Sequence, residues 1–457
     1  MLYRYLISSN LLCNRRCKGA IIAVCKRHVE SAQAYFTFSD FRLKLLCMEI
    51  ISLLKDKKIL LGVTGSIAGY KAIDLASKLT QAGVLVDVIL TEAAAQFVSP
   101  LAFRSVTGRP VHSDMWSLDK HVRHVGLGET ADLLVIAPAT AHTLAKLTHG
   151  LADNLLTVTA LAARCPILVA PAMDGGMYEH PATQANLATL AERGTLFAGP
   201  AEGRMASGLT GRGRMVEPNE LLARIRLALA QKGSLNGRHV VVTTGPTQEA
   251  LDPVRFISNR STGKQGLAVA QAALDAGARV TLIAGPVQQP LPIGADTIQV
   301  TTTQEMADAV LTAVPDADAL FMVAAVADFR PQSRSEQKIK KTETDEAWGL
   351  AIGLEKTLDI LSAVKEMREK TGYPRVALGF AAETQNAFEY GRHKLLRKGL
   401  NYIAVNDVTA EGAGFGVDTN RIVLLSSAGV VEEMPLQSKT AVAERLVHHV
   451  AKTLNGK

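Results

Sequence analysis

An α/β architecture with two doubly wound, mainly parallel sheets is predicted by three observations. Short apolar, β-branched runs alternate with segments of helical period, the pattern of strands buried on both faces by helices. Glycine, hydroxyl and acidic residues gather where those runs end, and ligands of such sheets sit beyond the strand C-termini. A length of 457 residues suits two or three domains, and the small-residue stretch Gly233-Ser-Leu-Asn-Gly237 is a natural boundary. The expected division is 1–47, an extension; 48–233, a first α/β domain; and 234–457, a second.

The first division rests on charge. The chain carries a formal +7, but residues 1–47 hold eight Lys/Arg against two Asp/Glu. The remainder is near neutral, so the pI of about 9.1 describes the extension and gives little support to a nucleic-acid partner. Four of the five cysteines (Cys13, Cys17, Cys25, Cys47) also lie there, leaving Cys165 alone in the body. A body with one cysteine has no disulfide framework and suits a reducing, cytoplasmic setting. The extension reads as disordered, with Met48 as the expected true start. A transit peptide is a second reading, and a zinc site is disfavoured because paired C-x-x-C spacing is absent. No run approaches a membrane span in length.

In the first domain, Ile59–Val63 is a strand ending in Thr64-Gly65-Ser66-Ile67-Ala68. A helix over 68–81 follows, stopped by Gly83. Further strands span 84–90, 133–136 and 167–170; the last two end in Ala137-Pro-Ala-Thr140 and Pro171-Ala-Met-Asp174. Gly62, Gly65 and Gly69 do not form the dinucleotide fingerprint, so a mononucleotide phosphate at Gly65-Ser66 is the expectation, against the plain reading of a Gly-Ser turn. His124 alone reads as an ordinary surface or core histidine.

The second domain opens on Val240-Val-Val, then Thr243-Thr-Gly-Pro-Thr, a charged loop with Asp252 and Arg255, and Asn259, Ser261, Thr262, Gly263 and Lys264 ahead of a helical pattern over 267–276. Strand, polar loop, helix N-terminus is an arrangement for phosphate. It is not a Walker loop, because Ser258 and Gln265 stand where Gly and Ser/Thr are required. Strands over 280–284, 320–325, 376–380 and 402–406 and helices over 303–314 and 386–398 continue the alternation. Asp328, just past a strand, is placed for a ribose or Mg²⁺, or equally to cap a turn. Lys394 and Lys398 share one helix face.

Gly245-Pro-Thr, Asp252-Pro-Val-Arg-Phe-Ile-Ser-Asn259 and Gly263-Lys264 resemble the nucleotide loop of bacterial phosphopantothenate–cysteine ligases. Gly62-Val-Thr-Gly-Ser-Ile-Ala-Gly-Tyr-Lys71, Thr91-Glu-Ala-Ala, His124-Val-Gly-Leu-Gly, Gly150-Leu-Ala-Asp-Asn154 and Pro171-Ala-Met-Asp-Gly-Gly-Met-Tyr178 resemble, in family order, the flavin-containing phosphopantothenoylcysteine decarboxylases. The resemblance implies a flavodoxin-like FMN domain followed by a CTP-binding ligase domain, both Rossmann-like, in a bifunctional enzyme of coenzyme A biosynthesis. Its substrates would be 4′-phosphopantothenate, cysteine and CTP, with Mg²⁺. It implies FMN contacts at Gly65, Ser66, Thr91, Ala139 and Thr140, and a catalytic role for His124. Substrate would meet Asp174, Met177 and Arg204. It implies CTP contacts at Asp328, Lys338, Phe380, Lys394 and Lys398, with Lys338 on a closing flap and Asn259 holding the acyl-cytidylate. It implies homo-oligomers: trimers through the first domain, dimers through the second, a dodecamer if both form.

The chain departs from the pattern twice in the first domain and once in the second. Asp174 stands for the usual Asn, and Ser207 for a flap cysteine that protonates the reduced intermediate; a hydroxyl is a far weaker acid than a thiol. Decarboxylation is expected to survive, with Ser207 shaping the flap, and Asp174 must be protonated, turned away or differently bound. Thr357-Leu358 stands for Asn-Pro in the cytosine pocket. Alternatives are a ligase with an altered or inactive flavin domain, an FMN-binding regulatory subunit, and a nucleic-acid binder.

Overall fold

The computed structural model describes residues 53–116, 123–340, 351–383, 387–407, 412, 414 and 416–456. The expectation for residues 1–47 lies outside them, as do His121, Lys341 and Thr384.

The first sheet holds β1 (Lys58–Val63), β2 (Leu85–Leu90), β3 (Val111–His112), β4 (Leu133–Ala139), β5 (Ile167–Pro171) and β6 (Leu196–Phe197), in the order β3-β2-β1-β4-β5-β6. Every pairing is parallel. Its helices are α1 (Gly69–Gln81), α2 (Glu92–Ala95), α3 (Pro100–Thr107), α4 (Arg123–Thr130), α5 (Ala141–His149), α6 (Leu155–Ala162), α7 (Gly175–Glu179), α8 (Pro181–Glu192) and α9 (Pro218–Ala230). Alternate strand residues face opposite ways, so a strand covered on both sides must be apolar throughout. Ile59, Leu61 and Val63 pack with Leu75 and Leu79 of α1, Phe103 of α3 and Ile225 of α9. Leu60 joins Leu134, Ile136, Leu144 of α5 and Leu156 of α6 on the other face. An antiparallel hairpin, β7 (Ala201–Arg204) and β8 (Thr210–Arg214), rises beside the end of β5.

The second half contains β9 (His239–Thr244), a small hairpin of β10 (Gln248–Ala250) and β11 (Phe256–Ser258), then β12 (Arg279–Ala284), β13 (Asp296–Gln299) and β14 (Ala319–Met322). A second small hairpin, β15 (Phe329–Pro331) and β16 (Leu354–Lys356), precedes β17 (Val376–Glu383), β18 (Tyr402–Asp407), β19 (Thr419–Ser426) and β20 (Gly429–Ser438). The eight-stranded order is β13-β12-β9-β14-β17-β18-β19-β20. It is parallel up to β18, and β19 and β20 extend it antiparallel. The helices are α10 (Lys264–Asp275), α11 (Thr303–Ala313), α12 (Ile360–Thr371), α13 (Ala387–Arg397) and α14 (Lys439–Leu454). Val240 and Val242 pack against Val269 of α10 and Leu446 of α14, while Val241 faces Met306 of α11 and Val364 of α12.

Two doubly wound α/β sheets are therefore present, as the alternation predicted. The short outer strands β3, β6 and β13 carry no clear pattern of their own. The strand predicted over 320–325 ends at Met322, because Thr243 Oγ1 accepts the N–H groups of Val323 and Ala324 at 3.0 and 3.1 Å and turns the chain. The stretch Gly233–Gly237 is anchored: Leu235 is fully buried, and its N–H donates to the Ala276 carbonyl at 2.8 Å.

Candidate functional site

The topology reverses between β1 and β4 in the first sheet and between β9 and β14 in the second, so each sheet has a crevice at its C-terminal edge.

At the first crevice three loops are tied together. Thr64 Oγ1 donates to the Pro138 carbonyl at 2.7 Å and accepts the Thr140 N–H at 3.2 Å, bridging the reversal. Thr91 N donates to the Val63 carbonyl at 3.1 Å, and its hydroxyl caps α2 through Ala94 N–H. Gly65 lies against α2: a Cβ there would stand 2.6 Å from Ala93 Cβ, so the loop closes only with glycine at this position. Gly65, Ser66, Thr91, Ala139 and Thr140, predicted from separate stretches, thus share one edge. The N-terminus of α1 has no side-chain cap, whereas Thr91, Thr140 and Asn154 cap α2, α5 and α6. An uncapped turn beside hydroxyls and a close-approaching glycine fits a phosphate group.

The end of β5 meets the hairpin. Met173 N–H donates to the Gly213 carbonyl at 2.9 Å. Asp174 caps α7 through Gly176 N–H at 3.2 Å and accepts the Ser207 hydroxyl at 2.6 Å. The two residues that depart from the family pattern are therefore bonded to each other. Arg212 on β8 stacks over Tyr178, 5.7 Å from the ring centre. Met177 is about half exposed. His124, half-buried in the first turn of α4, has no hydrogen bond or ion pair among the described residues, and none joins it to Asp174 or Ser207. Large apolar side chains stand open around this half: Tyr70 is 62% exposed, Leu101 69% and Trp116 81%.

The second crevice is a cavity of about 750 Å³. Asn259, Asp328, Phe380, Lys394 and Lys398, drawn from four stretches, all line it. Asp252 builds the loop that carries Asn259. It is buried, and burial opposes its charge. The N–H groups of Val254, Arg255 and Ile339 and the Arg255 guanidinium outweigh that and hold its carboxyl far below the usual range. Asn259 then donates its amide to the carbonyls of Ala325 and Val326 at 3.1 and 3.0 Å, bridging the reversal. The helix after this loop begins at Gly263, whose φ of 77° is left-handed and which supplies no side-chain cap. A Cβ there would come within 2.4 Å of Val287.

Lys398 is buried, bonded to Asp359 and donating to Ser362 Oγ at 2.8 Å; burial pushes its ammonium below its ordinary pKa despite the aspartate. It fastens α13 to α12 as well as lining the cavity. Lys338 is exposed and does not line the cavity, and the neighbouring Ile339 is bonded to Asp252 through its N–H and to Arg255 through its carbonyl. Lining residues that were not predicted as nucleotide contacts include Lys439, at the start of α14, and Lys264, which the sequence placed in the polar loop. Lys264 reaches Asp418 at 2.6 Å and lowers that carboxyl's pKa, while burial lowers the Lys439 ammonium. Lys439 comes from the C-terminal helix and carries no local motif. Among the described residues no cluster of three or more His, Cys, Asp or Glu could hold a metal. No described helix is long and apolar enough to cross a membrane.

Comparison with known proteins covers both halves. The Flavoprotein family matches residues 51–229, and the DNA/pantothenate metabolism flavoprotein C-terminal domain matches residues 235–454. The coenzyme A biosynthesis bifunctional protein CoaBC of Bacillus subtilis is 43% identical over 404 residues, covering 87% of this chain and 98% of that protein. The CoaBC protein of Mycobacterium bovis is 44% identical over 411 residues, covering 88% and 97%. A crystal structure of a CoaBC C-terminal domain aligns with 49% of this chain and all of its own at 35% identity and a TM-score of 0.41. The FMN-binding protein AtHal3 aligns with 38% and 96% at 33% identity and a TM-score of 0.34. With near-complete coverage of these relatives at over 40% identity, the chain belongs to the family of bifunctional coenzyme A biosynthesis proteins.

Proposed function

We propose that the second half joins cysteine to 4′-phosphopantothenate with CTP, through an acyl-cytidylate, and that the first half decarboxylates the product with FMN. That the chain carries a ligase and a decarboxylase follows from its family. The nucleotide, the cofactor, the residue roles and the boundaries 48–233 and 234–457 are this reading's own. Its main support is that five residues scattered over about 140 positions line one cavity of about 750 Å³.

In the ligase half, Phe380 and Lys394 hold the nucleotide, and Asp328 holds the ribose or a phosphate-bound Mg²⁺. Lysines around the cavity neutralise charge that develops on the phosphates as pyrophosphate leaves. The Asn259 amide, set at the reversal by two carbonyls, orients the activated carboxyl for attack by the cysteine amine. Lys338 reaches the reacting phosphate only once its own segment closes.

In the decarboxylase half, Gly65, Ser66, Thr91, Ala139 and Thr140 cradle FMN, which when bound accepts electrons from the substrate thiol and returns them. A carboxylate on an sp³ carbon has no electron sink, and thiol oxidation supplies one. His124 moves the proton at the cysteine-derived carbon or sulfur. Met177, Arg204 and the segment around Asp174 cover the substrate. The open apolar surface at Tyr70, Leu101 and Trp116 supports a homo-oligomer assembled through this half. A dimer through the ligase half and a cytoplasmic location complete the reading.

The test is incubation of the whole chain with 4′-phosphopantothenate, cysteine, CTP and Mg²⁺, following products by mass. Pyrophosphate, CO₂ and 4′-phosphopantetheine are expected together. Accumulation of phosphopantothenoylcysteine without CO₂ would reduce the reading to a ligase with a silent flavin domain.

A further inference from the structure

We propose that Asp174 and Ser207 form a latch that holds the β7–β8 hairpin over the decarboxylase crevice, making both positioning residues rather than substrate ligand and proton donor. The inference rests on the decarboxylase reading for its catalytic consequence, but not for the latch itself.

Besides the stacking of Arg212 over Tyr178, two hydrogen-bonded anchors hold the hairpin below its tip. Its base is seated by the Met173–Gly213 backbone bond, where a Cβ on Gly213 would stand 2.3 Å from the Met173 carbonyl. The exit from β8 is held by buried Lys71, whose ammonium donates to the Met215 carbonyl at 2.9 Å and to Glu217. Neither contact restrains the tip. The tip is a tight turn in which Met205 N–H donates to Leu209 and Gly208 N–H to Met205. Among the described residues, the tip makes one hydrogen bond to the rest of the protein, from Ser207 to Asp174.

Chemistry sets the direction of that bond. An ionised carboxylate accepts only, so the Ser207 hydroxyl donates. Asp174 then has one oxygen on Gly176 N–H and the other on Ser207, and its charge is directed at the flap instead of at an incoming substrate carboxylate. An asparagine at 174 would have an amide left to offer a substrate. The aspartate has none, and its hydroxyl partner at 207 gives the carboxylate a use that a poorly donating thiol would not. The pairing gives the two departures one shared contact in this chain.

The experiment is trypsin cleavage of the full chain after Arg204 and Arg212, mapped by mass, alongside the KM and kcat for phosphopantothenoylcysteine. Asp174→Ala and Ser207→Ala should each speed flap cleavage about tenfold, the loss expected for one charge-assisted hydrogen bond. The double variant should cleave no faster than either single one, because both break the same contact. Asp174→Asn, which still accepts the hydroxyl, should stay close to the parent. KM should rise with cleavage while kcat holds, and ligase turnover reports that the fold is intact. Multiplying effects in the double variant, or single variants that cleave at the parent rate, overturn the latch. Absent CO₂ from the parent chain would count against the decarboxylase reading, while the cleavage rates would still decide the latch.

Discussion

The two halves solve the same problem differently. Each begins with an apolar strand ending in a threonine that spans the topological reversal: Thr64 to Pro138 and Thr140, Thr243 to Val323 and Ala324. Each follows that strand with a helix lacking a side-chain cap, α1 or α10. From there they diverge. The second half adds α12, α13 and the antiparallel strands β19 and β20, and closes a cavity within one chain. The first half adds only the β7–β8 flap, and leaves Tyr70, Leu101 and Trp116 in the open. The difference teaches that a shared strand–loop–helix core sets where a phosphate would bind, whereas the added elements decide whether one chain can enclose the rest of a ligand.

The largest effects should come from the two close-packed glycines, and they should be separable. Gly65→Val, with a side chain forced onto Ala93, should reduce bound flavin more than about tenfold, read from visible absorbance, and leave ligase turnover unchanged. Gly263→Val should do the reverse, through Val287 and a left-handed backbone. Loss of both activities from either variant would mean that the halves are not independent.

Next in size is assembly. Leu101→Glu places a charge on the open apolar surface and should dissociate the homo-oligomer proposed for this half, read by sedimentation, lowering decarboxylation about tenfold with ligation retained. Within the cavity, Lys394→Ala should raise the KM for CTP about tenfold, the loss of one charge-assisted contact. An equal rise in the KM for cysteine would remove Lys394 from the nucleotide.

The smallest effect is one of pH. The Asp252 pKa is depressed by folding, so its contribution to stability is fully present above about pH 4, its ordinary range, and is lost as pH falls toward the folded value. The Tm of the parent chain should exceed that of Asp252→Asn by a constant margin from pH 8 to 5, narrowing below about pH 4. A margin that instead closed near neutrality would contradict the depressed pKa.

Much of this was legible in the sequence because the signals are local. A doubly covered strand must be apolar at every position, so Ile59–Val63 and Val240–Val242 identify themselves. Loops that approach phosphate need glycine and hydroxyls in order, so Gly65-Ser66, Ala139-Thr140 and Asn259 through Lys264 do too. Non-local facts were not legible. Lys439 reaches the cavity because β19 and β20 fold back beside α10, and nothing near it in the chain announces that. Lys338 was placed on a flap by resemblance, and the bond from the next residue, Ile339, to Asp252 is visible only in the folded chain. Asp174 and Ser207 each read as an isolated oddity, 33 positions apart. Sequence alone determined the sheet class, the order of the loops and the chemistry they can offer, since these depend on each residue's own backbone and side-chain preferences. Tertiary structure decided which distant side chains are spent on one another, since a hydrogen bond between Asp174 and Ser207 exists only once β5 and the flap are brought to 2.6 Å.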